Sequence, residues 1–319
     1  MEKSLVINNV SLILSGGLGN QLFQLAAAKS LSGTGSITLI TDIGNPRTNH
    51  LNLPAISSYD LGTEVSLVSY DKMRLIWNRL FNFLLNLSSH GARNFWSRSA
   101  FKAVEGLSLI ISKFTRFQPI VLSNGVGFDE SFSLTHDCSV MIGCFHSYKW
   151  VYHGQTLEFM KSLKPISSPH WLTELSYEAQ VEAPIIVHIR LGDYLGIPNL
   201  SHLDNDYFVA GLKECLSERP SAPVWIMSDD VVGVRERLSD PIWKNAKFIA
   251  IQDSDAVLNL EILRLGGSFV LSNSTFSWWG ATLSRTEDPL VVVPENWFRA
   301  TDNPVAIYPP QWKLLKVSP

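Results

Sequence analysis

In the stretch IIVHIRLGDYLG, residues 185–196, an apolar run is followed by three ionisable groups, His188, Arg190 and Asp193. Side chains alternate along a strand, so Ile186, His188 and Arg190 share one face while Ile185, Val187 and Ile189 share the other. Strands inside a parallel sheet are apolar on both faces. Charge at the last positions of one face therefore marks a strand end that points at a ligand or at a buried partner. An arginine fork donates two parallel charge-assisted hydrogen bonds and suits a phosphate. The bland alternative is a salt bridge from Arg190 to Asp193 across a tight turn at Gly192.

Three further stretches place polar groups where a strand should end. WIMSDD offers Ser228, Asp229 and Asp230, either as part of a pocket or as a helix N-cap with favourable dipole charges. LSNSTFSWWG carries Asn273, Ser274, Thr275 and Ser277 where a strand becomes a helix, and N–H groups at a helix start bind anions. SGGLGNQLFQ contributes Gly16, Gly17 and Gly19, which let backbone approach a ligand, followed by the amides of Asn20 and Gln21. The glycine stretch is neither GxGxxG nor a P-loop, so no dinucleotide fingerprint is present. Four such ends in two halves of one chain point to a phosphate-containing ligand held outside the carboxyl ends of a parallel sheet.

The elements that must position them alternate strand, polar turn and helix, which predicts a doubly wound α/β fold. Strand stretches are read at 11–14, 36–41, 184–190, 223–230, 268–275 and 290–297, with helices over 22–32, 206–219, 231–238 and 276–284. Residues 71–117 read as helical, with Leu75, Ile76, Leu80, Phe83, Leu84 and Leu87 at near-helical spacing. That segment holds Lys72, Arg74, Arg79, Arg93, Arg98, Lys102, Lys113 and Arg116 against Asp71 and Glu105. It is either a helical layer with a solvated basic face or an element lying on an anionic bilayer. KPISSPHW, 164–171, has the composition of a linker, which puts an N-terminal domain at 1–170 and a C-terminal one at 180–319.

The chain has 319 residues, 45% of them hydrophobic, with a net charge of −3, so a nucleic-acid binder is not expected. Cys138, Cys144 and Cys215 lack CxxC spacing and read as buried thiols in a reducing compartment. No histidine pattern suggests zinc, the N-terminus does not read as a signal peptide, and no run of about 18 apolar residues predicts a membrane span. The expected location is the cytoplasm, with peripheral contact at an inner membrane.

The blocks GGLGNQLFQLAAAKSL, IGCFHSYKW, VHIRLGDY, WIMSDD and LSNSTFSWWGATL resemble, in that order, those of the α-1,2-fucosyltransferases of glycosyltransferase family 11. VVPENWF and YPPQWKLL are similar to its C-terminal end. The resemblance implies a GT-B-like fold of two Rossmann-like domains facing a cleft, with an acceptor-side first domain. It implies GDP-L-fucose as donor, no cofactor or metal, and inverting transfer to the 2-hydroxyl of a β-galactoside, as in O-antigen-type glycans. The acceptor is lipid-linked if the enzyme works at the inner membrane. Residue by residue, Arg190 would hold the diphosphate, Asp193 would support it and His188 would contact nucleotide or sugar. Gly17, Gly19, Asn20 and Gln21 would meet the donor, as would Asn273, Ser274, Thr275 and Ser277. Asp229 and Asp230 would line the nucleotide side. Three positions depart from the family pattern. Leu191 replaces the second arginine of HxRRxD, Asn259 stands where an acidic residue is usual, and His146 replaces a common glutamine on the acceptor side.

Overall fold

The computed structural model describes residues 9–44, 53–69, 74–90, 95–114, 118–134, 139–191, 203–249, 255–299 and 301–316. The chain divides into two compact units, residues 1–166 with 304–308, and residues 167–303 with 309–319. The short segment 304–308 thus returns to unit 1, which a split into two consecutive stretches misses. Its backbone carbonyls hold it there: Phe128 N donates to Val305 O at 2.9 Å, and Tyr148 N to Ala306 O at 2.9 Å.

Unit 1 contains β1 (Val10–Ser15), α1 (Leu18–Ser32), β2 (Ile37–Gly44), β3 (Tyr59–Asp60), β4 (Val65–Ser69), α2 (Arg74–His90) and α3 (Phe95–Phe114). It continues with β5 (Ile120–Leu122), β6 (Ser139–Ile142), α4 (Tyr148–Val151), α5 (Thr156–Ser162) and β7 (Lys164–Pro165). Its main sheet is parallel, in the order β4-β2-β1-β6-β5, and β3 pairs with β7 in a separate antiparallel ribbon. All of β1 is buried, because neighbours flank it on both sides and α1 packs over it. The expected apolar stripe of α2 is corrected in part. Phe81 and Leu84 are buried against Ile13, Ile40 and Ile142, whereas Leu80 and Phe83 face solvent. The side chains of Leu75 and Ile76 lie outside the described residues.

Unit 2 contains α6 (His170–Glu182), β8 (Ile185–Ile189), α7 (Asn205–Glu218), β9 (Val224–Ser228), α8 (Val231–Arg237) and β10 (Lys247–Phe248). After these come α9 (Ala256–Leu263), β11 (Ser268–Leu271), α10 (Thr275–Thr282), β12 (Leu290–Pro294) and β13 (Lys313–Leu315). All its strands are parallel, in the order β10-β9-β8-β11-β12-β13. Counted along the chain this is 3-2-1-4-5-6, the doubly wound order of Rossmann folds, whose switch point lies between β8 and β11. Ile185, Val187, Ile189 and Leu191 enter one core cluster with Tyr207, Leu212 and Cys215 of α7, as strand alternation requires. Asp204 caps α7 by accepting from Tyr207 N at 2.9 Å, and Gly211 gives the helix its close approach to β11. A Cβ on Gly211 would stand 2.5 Å from Val270 Cγ1.

Candidate functional site

The strand ends singled out in unit 2 converge because β9, β8 and β11 are adjacent and in register. Ile189 pairs with Ser228, and His188 with Leu271. Arg190 is the first residue past β8, and its Nε lies 3.3 Å from Asp229 Oδ2. The same carboxylate accepts from Leu191 N through Oδ1 at 2.9 Å. Asp229 therefore orients both the arginine and the turn that carries it. Gly192 and Asp193 lie outside the described residues, so the expected Asp193 support falls there too.

On the other side, Ser272 clasps β8 to β11. Its Oγ donates to His188 O at 2.9 Å and accepts from Arg190 N at 3.0 Å. Tyr207 OH donates to Leu271 O at 2.7 Å and fixes the same strand end from α7. Ser274 stands at the N-cap of α10 without a side-chain cap bond. The first-turn N–H groups of a helix lack intrahelical partners and carry partial positive charge. An arginine and a helix start thus sit at the ends of adjacent strands, an arrangement suited to an anion. Asn273 is buried, and its Nδ2 donates to Trp297 O at 2.8 Å, so it positions the turn. Ser277 Oγ donates to Ser274 O at 3.2 Å and serves the helix start in the same way.

His188 is 4% exposed, its ring tilted 6.1 Å from Phe276, and its Nδ1 has no hydrogen-bond partner among the described residues. Burial, and secondarily the charge of Arg190, push its pKa down to about 3. The ring is therefore neutral at physiological pH and a poor proton acceptor there. What it offers is a hydrogen bond, not a base.

Asp230 caps α8, accepting from Gly233 N at 2.9 Å, and is exposed; the capping alternative describes its contacts. Leu191 is buried in the core with Ile185, Val187 and Ile189, so the departure from HxRRxD puts an apolar side chain into the interior, away from the arginine's face. Asn259 is buried on α9, in the turn before Glu261. Glu261 is buried as well and pairs with Arg264 at 2.7 Å and Arg285 at 3.7 Å. Sequence reading missed that pair, although an i,i+3 Glu–Arg spacing signals it.

Unit 1 builds a comparable place at its own switch point, between β1 and β6. Gly16 has φ +70°, and a Cβ there would lie 2.4 Å from Asn20 Nδ2, so glycine is required where β1 turns into α1. Gly17 is the N-cap, and Gly19 and Asn20 open the helix. Gln21 has both ends of its amide engaged, Nε2 donating to Gly16 O at 2.9 Å and Oε1 accepting from Ile56 N at 2.9 Å. It holds the loop rather than projecting from it. Gln24 was not singled out in the sequence, yet it clasps the two strand ends. Its Oε1 accepts from Ser15 N at 3.1 Å and its Nε2 donates to Ser15 Oγ and Gly143 O at 2.8 and 3.0 Å. Beside it Phe145 takes φ +58°, a costly conformation for an aromatic residue. The next residue, His146, is 8% exposed and packs against Phe23 with the rings tilted by 46° and centroids 5.2 Å apart. Its Nε2 has no partner among the described residues, and burial lowers its pKa to about 4.

A cavity of about 460 Å³ in unit 1 is lined by Phe101, Lys102, Glu105, Asn124, Asp129 and Phe132 among others, and by none of the residues above. Among the described residues no group of three or more His, Cys, Asp or Glu could hold a metal ion.

Three comparisons bear on this arrangement. The chain is 25% identical over 316 residues to an Escherichia coli protein named O-antigen biosynthesis glycosyltransferase WbnK, covering 89% of this chain and 93% of that protein. It is 22% identical over 159 residues to an Escherichia coli alpha-1,2-colitosyltransferase, covering 47% of this chain and 54% of that one. The crystal structure of fucosyltransferase NodZ from Bradyrhizobium matches with a TM-score of 0.50 at 14% identity, over 88% of this chain and 94% of that one, which bears on the GT-B-like fold alone. The family model described as glycosyl transferase family 11 matches residues 136–316, more than half of the chain and nearly all of unit 2. The chain belongs to glycosyltransferase family 11.

Proposed function

We propose that the protein transfers L-fucose from GDP-L-fucose to the 2-hydroxyl of a β-galactoside, with inversion and without a metal, in the assembly of an O-antigen-type surface glycan. The observation that carries this reading is the Arg190–Asp229 pair at 3.3 Å beside the start of α10, at the switch point of unit 2. Arg190 holds the diphosphate and stabilises the charge that builds on it as the fucosyl–oxygen bond breaks. Ser274 and Thr275 at the helix start add donors for the same oxygens. His188 stays neutral and meets the donor through Nδ1.

The acceptor's proton needs its own route. A ring whose conjugate acid forms only near pH 3 does not supply it, which leaves Asp193, a base from unit 1, or no dedicated base. In unit 1 we assign Gly17, Gly19 and Asn20 the donor-side contacts that the family blocks imply, and His146 the acceptor side. The buried tryptophans, Trp150, Trp225, Trp278 and Trp279 among them, weigh against a non-catalytic lectin that stacks sugars on them.

The test is release of GDP from GDP-fucose in EDTA, with and without lactose, Gal-β1,3-GalNAc and other β-galactosides, and NMR of any product. Acceptor-stimulated release with an α-1,2 product supports the reading. Turnover of GDP-mannose or UDP-galactose in place of GDP-fucose rejects the donor, and loss of turnover in EDTA rejects metal independence. The colitosyltransferase relative makes an activated colitose the rival donor to include.

A further inference from the structure

Helix α3 turns a mixed face to its own fold, with Phe101 and Val104 against the core beside Glu105 and Ser108. A surface helix ordinarily turns its apolar stripe inward and its polar side to water. Here β5 is one of the two edge strands of the unit 1 sheet, and α3 lies over it. The unpaired groups of an edge need cover, and the polar side of α3 supplies it. Ile120 N donates to Ser108 Oγ at 3.0 Å and Leu122 N to Glu105 Oε1 at 3.1 Å. With those residues and Phe101 directed at the sheet, Ala103, Leu107, Ile110, Ile111 and Phe114 line the opposite side at helical spacing, all exposed. Leu107 is 59%, Ile110 56% and Phe114 84% exposed, and α2 adds Leu80 and Phe83 to the apolar surface of this layer.

Charge identifies what this stripe meets. Lys102 and Lys113 flank it, and Arg79 is exposed on α2. Glu105 is turned away to β5, and burial raises its carboxyl pKa. A second copy of the chain packed symmetrically on the stripe would bring like charges together. An anionic surface with an apolar interior fits both the stripe and its cations. We propose that α3 docks the protein on an anionic bilayer, its apolar side chains at the acyl boundary and Lys102 and Lys113 among the headgroups. The docking is peripheral, since among the described residues no helix is long and apolar enough to cross a membrane.

The test is vesicle flotation of the intact protein, with phosphatidylcholine alone and with phosphatidylglycerol added, at low and high salt. Flotation uses no sugar nucleotide, so its result is separate from that of the fucosyl-transfer assay. Binding to the anionic vesicles that weakens with salt is expected. The double variant Ile110→Asp/Phe114→Asp, at exposed positions, should abolish it while circular dichroism and donor hydrolysis in solution stay unchanged. The double variant Lys102→Gln/Lys113→Gln keeps the apolar stripe and should weaken binding roughly thirtyfold. Failure of the wild type to float, or flotation of both variants like wild type, overturns the proposal. So does light scattering that shows a dimer which Ile110→Asp/Phe114→Asp dissociates, since the stripe would then belong to a second copy.

Discussion

The switch points of the two units share a plan and differ in charge. In each, a single buried side chain clasps the carboxyl ends of two parallel strands, Gln24 for β1 and β6 and Ser272 for β8 and β11. In each, a buried histidine presents a ring nitrogen without a partner among the described residues, His146 in unit 1 and His188 in unit 2. Among the described residues, the switch point of unit 2 adds an ion pair, Arg190 with Asp229, and that of unit 1 does not. Unit 1 builds its place from glycines, amides and a neutral ring. A diphosphate needs fixed positive charge, whereas a sugar hydroxyl needs neutral donors and acceptors. On the proposed reading, the contrast gives the diphosphate to the charged end in unit 2 and leaves the neutral end in unit 1 to sugar groups, on one sheet plan used twice.

The largest effect expected from this contrast is at its charged end. Arg190→Ala should cost about 3–4 kcal/mol of transition-state stabilisation, by analogy with removal of an oxyanion donor. The rate of GDP release checks it, with circular dichroism to show that the fold persists. A wild-type rate would erase the distinction between the two places. Next is the clasp of the uncharged end. Gln24→Leu leaves Ser15 N and Gly143 O without their buried partner and should lower unfolding free energy by about 2–4 kcal/mol in urea titration. An unchanged midpoint would mean that the clasp is incidental.

The shared histidines predict an acid limit. Their folded pKa values, about 4 for His146 and about 3 for His188, lie below the ordinary 6.5. Between those values the unfolded chain binds the extra proton, so stability falls as pH drops below 6.5 and is unaffected by these rings above it. Each ring contributes a slope of about 1.4 kcal/mol per pH unit. His146→Gln or His188→Gln should each remove one such slope from urea midpoints measured between pH 6.5 and 4.5. Retention of the full slope in both variants would show that the rings are not buried neutral. The smallest effect is at Asp230, whose side chain caps α8. Asp230→Ala should cost about 1 kcal/mol of stability and leave the KM for GDP-fucose unchanged. A raised KM would return that residue to the donor's surroundings.

Much of unit 2 was legible because its signals are local. An apolar run with alternating faces defined β8, and a core of Ile185, Val187, Ile189 and Leu191 on one side follows from that alternation alone. The same local rule hid the partners. Asp193, three residues from Arg190 in sequence, lies outside the described residues, whereas Asp229, just past the neighbouring strand β9 and 3.3 Å from Arg190 Nε, is a partner no local rule reaches. Gln24 looked like one more residue of a helix, because the groups it clasps, at Ser15 and Gly143, meet only when β1 and β6 pair. Of the helical stripe, Leu84 packs against the sheet as expected, but Leu80 and Phe83 face solvent and Phe81, outside the stripe, is buried in their place.

By itself, then, the sequence determined the segments that become β1, β2, β8, β9, β11 and β12 and the helices α1, α7, α8 and α10, where glycine must turn the chain, and which residue types crowd the strand ends. Those choices depend on backbone dihedrals and on periodicity within a few residues. Only the tertiary structure decided strand order, and with it that Asp229 reaches Arg190, which side chain joins each pair of strands, and which face of α3 is left to solvent. Each of those depends on groups brought together from distant parts of the chain, where burial without a partner would be costly.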